Sequence, residues 1–306
     1  MRLVFAGTPQ VAADTLAHLL ERGRHEVAAV LTRPDAPKGR SSRLVPSPVA
    51  ELALDQGIEV LRPLRAGDPE LASRLAELAP DCCPVVAYGG LIPRALLSRP
   101  RCGWVNVHFS LLPRWRGAAP VQHAILAGDE VTGVTVFELV EALDAGPVLA
   151  TTEYHLGAEE TAGEALAALQ ARGADLLSDT LDALESGTVS ATPQPADGIT
   201  LAPKLTVGGA RIDWTRPAAE IARQVRANNP SPVAWTELGG ERFRLLLAIP
   251  AADAGLEPGE VRSGKREVLV GTGAGTLDLR LVQPAGKRAL AAVDWLILAL
   301  ALRAAR

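Results

Sequence analysis

The sequence predicts an α/β protein built on a mostly parallel sheet, followed by a smaller domain of short strands. Three observations carry this. Up to about residue 190, continuous apolar runs alternate with amphipathic helical stretches, the pattern of strands buried on both faces between covering helices. Residues 187–209 lose periodicity and collect Gly, Pro, Ser and Thr, as a connection between domains does. Beyond them, short strand-like runs are separated by Gly-rich turns, which suggests a small β-barrel. The expected division is a first domain at 1–189, a linker at 190–207 and a second domain at 208–306.

Taken in order, Leu3-Val4-Phe5-Ala6 reads as a buried strand, and a helix follows through Leu16, Leu19 and Leu20. Glu26–Leu31 and Ile58–Leu61 are the next strands. Glu70–Leu78 is helical, with Asp68 or Pro69 marking its start. Pro84–Tyr88 and Trp104–Val107 are further strands. A turn at Gly128-Asp129 precedes a strand over Thr132–Leu139, and Ala162–Leu184 is a long amphipathic helix. In the second domain one helix spans Ala218–Asn228. Strands Ala234–Leu238 and Arg242–Ile249 flank Gly239-Gly240, a hairpin signal, and Glu267–Val270 and Thr276–Val282 follow.

Composition excludes several classes. With 48% hydrophobic residues, the 306-residue chain still has no run of 18 apolar residues, so no membrane span is expected. The C-terminal apolar stretch Trp295–Leu302 is too short for one and reads as a buried helix end or a docking segment. The apolar run at the N-terminus is too short for a secretory signal. Cys82, Cys83 and Cys102 show no metal or redox spacing, and burial in a reducing cytoplasm is the expectation. Gly7-Thr8-Pro9 lacks the G-x-G-x-x-G pattern, which argues against a nicotinamide or flavin dinucleotide. The net charge of −4 is unevenly spread: residues 200–306 carry 15 Lys+Arg against 10 Asp+Glu, leaving the first part acidic. A basic second domain fits a polyanionic partner, although surface scatter gives the same balance.

The chemistry concentrates in Val105-Asn106-Val107-His108, which runs into Ser110-Leu111-Leu112-Pro113-Arg114-Trp115-Arg116-Gly117-Ala118-Ala119-Pro120. On a strand, Asn106 and His108 point to one face. An amide donor beside an imidazole suits stabilising an oxyanion while handling a proton. Asp144, in Leu143-Asp144-Ala145-Gly146-Pro147 after another strand, could orient His108 and favour its protonated form. A turn carboxylate is the plainer alternative for Asp144. Of five histidines, only His108 has both companions; His18, His25, His123 and His155 read as packing or surface residues.

These stretches resemble the folate-dependent formyltransferases over nearly the whole chain. The likeness extends through Phe5-Ala6-Gly7-Thr8-Pro9, Leu44–Val49, Val86-Ala87-Tyr88-Gly89, Thr132–Thr135, Ala210–Trp214, Asn229-Pro230 and Gln283–Lys287. The resemblance implies a Rossmann-like first domain and an OB-like barrel as the second. It implies 10-formyltetrahydrofolate as formyl donor and the α-amino group of methionine on initiator tRNA as acceptor, with no metal. In that reading Asn106 and a protonated His108 donate to the tetrahedral oxygen, one such donor being worth about 3–4 kcal/mol of barrier. Asp144 holds His108 charged and takes the amine proton directly or through water. Ser110, Leu111, Leu112 and Pro113 resemble the folate-binding segment, with Tyr88 and Gly89 on the pterin side. Ala142 and Gly90 depart from the family's usual Gly and Leu, which puts the geometry of both loops in question. Lys38, Arg40 and Arg43, in a Pro- and Gly-rich loop, are expected to meet acceptor-stem phosphates, solvated charge being the alternative. Lys204, Arg211, Arg262, Lys265, Arg266, Lys287 and Arg288 are further candidates. The rival readings are formyl transfer to an amino sugar nucleotide or a glycinamide ribonucleotide, hydrolysis of the donor, and a non-catalytic RNA-binding module. A monomer is expected.

Overall fold

The computed structural model describes residues 1–37 and 43–295. It separates into two compact units. The first comprises Met1–Gly117, Thr132–Tyr154 and Ala167–Leu201; the second comprises Ala118–Val131, His155–Leu166 and Ala202–Arg306.

The first unit is laid down by β1 (Arg2–Gly7), α1 (Gln10–Arg22) and β2 (Glu26–Leu31), then the two-residue strands β3 (Ala36–Pro37) and β4 (Leu44–Val45). After them come α2 (Pro48–Asp55), β5 (Glu59–Leu61), α3 (Pro69–Leu78), β6 (Cys83–Val86), α4 (Arg94–Leu97) and β7 (Trp104–His108). Helix α5 (Pro120–Ala127) belongs to the second unit. The chain then returns through β8 (Val131–Glu138), β9 (Val148–His155) and α6 (Ala162–Ser186). The seven-stranded sheet has the order β5-β2-β1-β6-β7-β8-β9. Strands β5 to β7 in that order run parallel, and β8 joins β7 antiparallel. Mostly parallel is therefore the right description.

Local chemistry explains these elements. Strand β1 is buried from Leu3 onward, and its last residue must be small: a Cβ on Gly7 would lie 2.6 Å from the Ala12 Cβ and 3.0 Å from the Val86 carbonyl oxygen. The glycine of the Gly-Thr-Pro turn thus lets α1 start against the sheet. Helix α3 opens on Pro69, where a missing N–H costs nothing. Trp104 is fully buried at the start of β7 and donates its indole N–H to Leu96 O at 2.8 Å. Burying such a side chain contributes at least about 1.5–3 kcal/mol, anchoring the strand that carries the candidate residues. Helix α2 is not among the elements expected from the sequence, yet its start is well marked. Ser47 accepts from Ala50 N at 3.1 Å and Pro48 follows it, an N-cap with proline in the first turn.

In the second unit, α7 (Ala218–Ala227) is followed by β10 (Ala234–Leu238), β11 (Glu241–Ala251), β12 (Val261–Ser263), β13 (Val268–Gly271), β14 (Thr276–Gln283) and β15 (Leu290–Ala291). The antiparallel sheet runs β10-β11-β14-β13-β12, with β15 beside β14. Gly239 and Gly240 close the predicted hairpin with φ of 61° and 81°, the two positive values that a two-residue turn of this hand requires. The core gathers Ile221, Val225, Leu245, Val270, Leu277 and Val282. Helix α5 joins this unit through Arg223 of α7, which donates to Leu126 O at 3.2 Å, and the start of α6 joins it through Gly163 N, which reaches Asn229 O at 3.0 Å. An α/β unit with a smaller antiparallel β unit is the architecture the sequence predicts. No helix among the described residues is long and apolar enough to cross a membrane. Lys38 and Arg40 lie outside the described residues, as does the apolar stretch after Trp295.

Candidate active site

Strand β7 sits between β6 and β8, with Asn106 opposite Val85 on one side and Phe137 on the other, and His108 opposite Thr135. Two-residue spacing puts both side chains on one face at the strand's C-terminal end. The Asn106 amide is half-buried and makes no hydrogen bond among the described residues, so its donors stay available.

His108 is buried and edge-on to Phe137, with ring centroids 6.3 Å apart. Its Nε2 lies 2.8 Å from Trp115 O. A carbonyl only accepts, so Nε2 carries the proton and Nδ1 faces Asp144, whose Oδ2 is 3.8 Å away. Burial lowers the His108 pKa from its ordinary value, while the Asp144 charge and the Trp115 carbonyl pull it upward. The net direction is downward, which favours a neutral imidazole at rest. This revises the expectation of a resting imidazolium: Asp144 is present, but not close enough to offset the cost of burying the charge.

Asp144 occupies a left-handed conformation, φ 47°, and its Oδ2 accepts from Gly117 N at 2.7 Å. The carboxylate therefore joins its own turn to the loop after β7. Gly146 permits that turn: a Cβ there would lie 1.7 Å from Glu138 O.

The predicted folate segment is held from within. Ser110 Oγ donates to Arg114 O at 2.6 Å, and Thr135 Oγ1 donates to Ser110 O at 2.7 Å while accepting from Leu112 N at 3.1 Å. Ser110 is fully buried and spends its hydroxyl on shaping the loop; Leu112 is buried and Leu111 half-buried. The Leu112–Pro113 peptide is cis. Tyr88 is buried, its hydroxyl has no hydrogen-bond partner among the described residues, and burial raises its pKa. Gly89 has φ 78°. The departure at Gly90 has a local reason, since a Cβ there would lie 2.7 Å from the Tyr88 ring. Next to it Leu91 is 86% exposed, and in the Asp144 loop Val140 and Leu143 are also exposed. Arg94 and Glu141 approach to 3.9 Å, which brings the two loops together. Exposed aliphatic side chains beside the sheet's carboxyl ends fit a flat, largely apolar ligand.

Of the predicted phosphate-contacting residues Lys38, Arg40 and Arg43, only the last is described. Arg43 is exposed, at the edge of the undescribed 38–42 stretch. Four side-chain or backbone partners go unseen in the sequence: Trp115 O, Gly117 N, Thr135 and Gln194. Gln194 donates to both Asp144 O and Gly146 O at 2.8 Å. The one legible signal is the polar, proline-flanked Pro193-Gln194-Pro195 itself.

Known proteins share this architecture. The formyl transferase profile matches residues 1–181, and the profile of the formyl transferase C-terminal domain matches residues 204–298. A methionyl-tRNA formyltransferase of Streptomyces coelicolor is 55% identical over 296 residues, covering 96% of each chain. One from Mycolicibacterium vanbaalenii is 51% identical over 297 residues, again covering 96% of each. Among solved structures, an N-formyltransferase of Helicobacter canadensis, in complex with folinic acid and dTDP-3-aminofucose, has a TM-score of 0.69 at 15% identity. It covers 92% of this chain and 98% of that one. HypX from Aquifex aeolicus in complex with tetrahydrofolic acid has a TM-score of 0.63 at 21% identity, covering 96% of this chain and 46% of that one. At these identities the two structures establish the shared fold alone.

Proposed function

The chain belongs to the formyl transferase family, and from that premise we propose that it moves a formyl group from 10-formyltetrahydrofolate to the α-amino group of methionyl initiator tRNA. The acceptor follows from relatives of that activity that are more than half identical along almost the full length. The single observation that carries the chemistry is the arrangement of His108: Nε2 fixed on Trp115 O, Nδ1 turned toward Asp144, and Asn106 two residues away on the same face.

The proposed catalytic set is Asn106, His108 and Asp144. As the neutral amine attacks the formyl carbon, its proton passes to Nδ1 of His108, directly or through water, and Asp144 stabilises the imidazolium formed. Asn106 donates to the oxygen that becomes negative. When the C–N10 bond breaks, His108 returns the proton to N10, leaving the N-formylated amine and tetrahydrofolate with the imidazole neutral again. One proton and one formyl group move, and both balance. Leu111, Leu112 and Pro113 with Tyr88 and Gly89 wall the donor; Ser110 shapes that wall from behind.

For the acceptor we assign phosphate contacts to Lys38, Arg40 and Arg43, and to the 208–306 domain beyond the 190–207 connection. In the second unit the guanidinium groups of Arg211 and Arg242 lie 5.5 and 4.5 Å from the Trp235 ring centroid, a basic and aromatic surface suited to nucleic acid. Such an enzyme acts in the cytoplasm, and a monomer suffices.

The test offers purified protein 10-formyltetrahydrofolate with methionyl initiator tRNA, methionyl elongator tRNA, an amino sugar nucleotide, or water alone. Rapid formylation of the initiator tRNA is expected. Transfer to the amino sugar nucleotide with none to tRNA would move the chain to the other branch of its family.

A further inference from the structure

We propose that residues 192–201 form a strap that fixes the catalytic geometry, with Gln194 as its positioning residue. The stretch has no periodicity in sequence, but the structure ties it to both loops that face His108. Thr192 exchanges two backbone hydrogen bonds with Val148, at 2.7 and 2.8 Å, at the start of β9. Two residues on, the Gln194 amide spends its whole hydrogen-bonding capacity. Its Nε2 donates to Asp144 O and Gly146 O, each at 2.8 Å, and its Oε1 accepts from Arg116 Nε at 3.1 Å and Nη2 at 2.6 Å. One side chain thus bridges the Asp144 turn and the loop after β7. Farther along, Thr200 Oγ1 accepts from Trp115 N at 2.8 Å and Thr200 O accepts from Arg116 N at 2.9 Å.

The two residues held in this way are the two that need holding. Asp144 and Trp115 both have positive φ, 47° and 62°, a conformation that residues with a side chain adopt only when the surroundings hold them there. Both meet His108 at opposite ends of its ring: Trp115 through its carbonyl on Nε2, Asp144 through its carboxylate toward Nδ1. The strap pins the backbone at each strained point. Without the Gln194 donors, the carbonyls of Asp144 and Gly146 lose their partner and the turn relaxes. The Asp144 carboxylate then leaves its place opposite Nδ1. The hydrogen bonds of Gln194 go to Asp144, Gly146 and Arg116 and none to His108, so it acts through those residues.

The rate readout rests on the formyl-transfer reading of His108 and Asp144; the titration readout does not. Gln194→Met keeps length and neutrality while removing all four bonds. In that variant we expect kcat to fall roughly 10- to 100-fold, the effect of an ångström-scale misplacement, with KM for the formyl donor within about twofold of the parent. The His108 pKa, followed by NMR on the free enzyme without any acceptor, is expected to move down, because an upward-pulling anion has receded. Thr200→Val, which removes the side-chain bond to Trp115 N, is expected to show a smaller fall in kcat. A stable Gln194→Met protein with parent kcat and an unmoved His108 titration would overturn the proposal. If Gln194→Met does not fold, Thr200→Val with parent kcat overturns it. Should the parent prove to act on a different acceptor, kcat is read on that acceptor and the titration outcome stands unchanged.

Discussion

Two histidines, His108 buried and His25 half-buried, sit beside carboxylates in the first unit, and only one has the makings of a catalyst. His25 places Nε2 3.2 Å from Asp182 Oδ1 and Nδ1 3.1 Å from the Met1 amine, with Glu185 Oε2 at 3.7 Å. His108 places Nε2 on the Trp115 carbonyl and Nδ1 3.8 Å from Asp144. Burial lowers the pKa of both. At His25 the second cause is the positive Met1 amine, which itself pairs with Glu185 at 2.6 Å, while His25 Nε2 and Asp182 Oδ1 face each other buried and without a hydrogen-bond partner among the described residues. At His108 the second cause is an anion, one ring nitrogen is left facing it across a gap, and a neighbouring amide keeps its donors available. A buried histidine with an acid nearby is therefore not a site. What distinguishes a site is an unspent valence aimed where a substrate can reach.

The largest expected effect separates the two directly. Asn106→Ala and His108→Ala should each lower turnover about 100- to 1000-fold while donor binding, measured by fluorescence or calorimetry, stays near the parent value. His25→Gln should leave turnover within about twofold, since its neighbours Met1, Asp182 and Glu185 are none of them in the proposed catalytic set. Equal losses at His25 and His108 would break the comparison.

Asp144→Asn should lower kcat roughly 100-fold, because it removes the charge that stabilises the imidazolium formed during transfer. It should also shift the pH profile in a defined direction. A neutral His108 acting as acceptor gives a rate that falls as pH drops through its pKa. Removing the nearby anion lowers that pKa further, so the acid limb of kcat/KM moves to lower pH. An acid limb displaced upward would contradict the assignment.

How much of this is legible in the sequence depends on distance along the chain. The Asn106–His108 pair is visible because two-residue spacing on a strand fixes a shared face, and the Gly239-Gly240 hairpin because few residues other than glycine tolerate two successive positive φ values. Asp144 can be named from its place after a strand, but not its tie to Gly117, which joins residues 27 apart. Gln194 is invisible for the same reason: its partners lie 48, 50 and 78 residues back, and an aperiodic stretch bonded residue by residue looks like a linker in one dimension. The downward pull on the His108 pKa is likewise hidden, because sequence shows a carboxylate's presence but neither a 3.8 Å gap nor the depth of burial. Helix α2 leaves a signal in Ser47-Pro48 that is easily passed over beside the Pro- and Gly-rich loop before it.

Smaller effects are expected away from the catalytic strand. Neutralising Lys38, Arg40 and Arg43 together should weaken tRNA use and reduce the log–log salt slope by roughly 0.7–0.9 for each phosphate no longer neutralised, leaving donor binding intact. An unchanged slope would return these residues to solvated charge. The smallest effect belongs to His25 and concerns stability alone. Its folded pKa lies below its unfolded value, so the unfolded chain binds the extra proton first as pH falls. Stability is therefore full above the ordinary histidine range and declines from about pH 6.5 down to the folded pKa. His25→Gln should abolish that part of the decline in thermal unfolding measured between about pH 7 and 5; an unaltered curve would show that other groups cause it.

The proton-accepting role of His108 is tested most directly by the 15N NMR shifts of its ring nitrogens at about pH 7 in the free enzyme, assigned by comparison with His108→Ala. The structure predicts a neutral ring with the proton on Nε2, none on Nδ1, and titration below the usual histidine range. A ring protonated on both nitrogens at that pH would contradict it and restore the resting imidazolium.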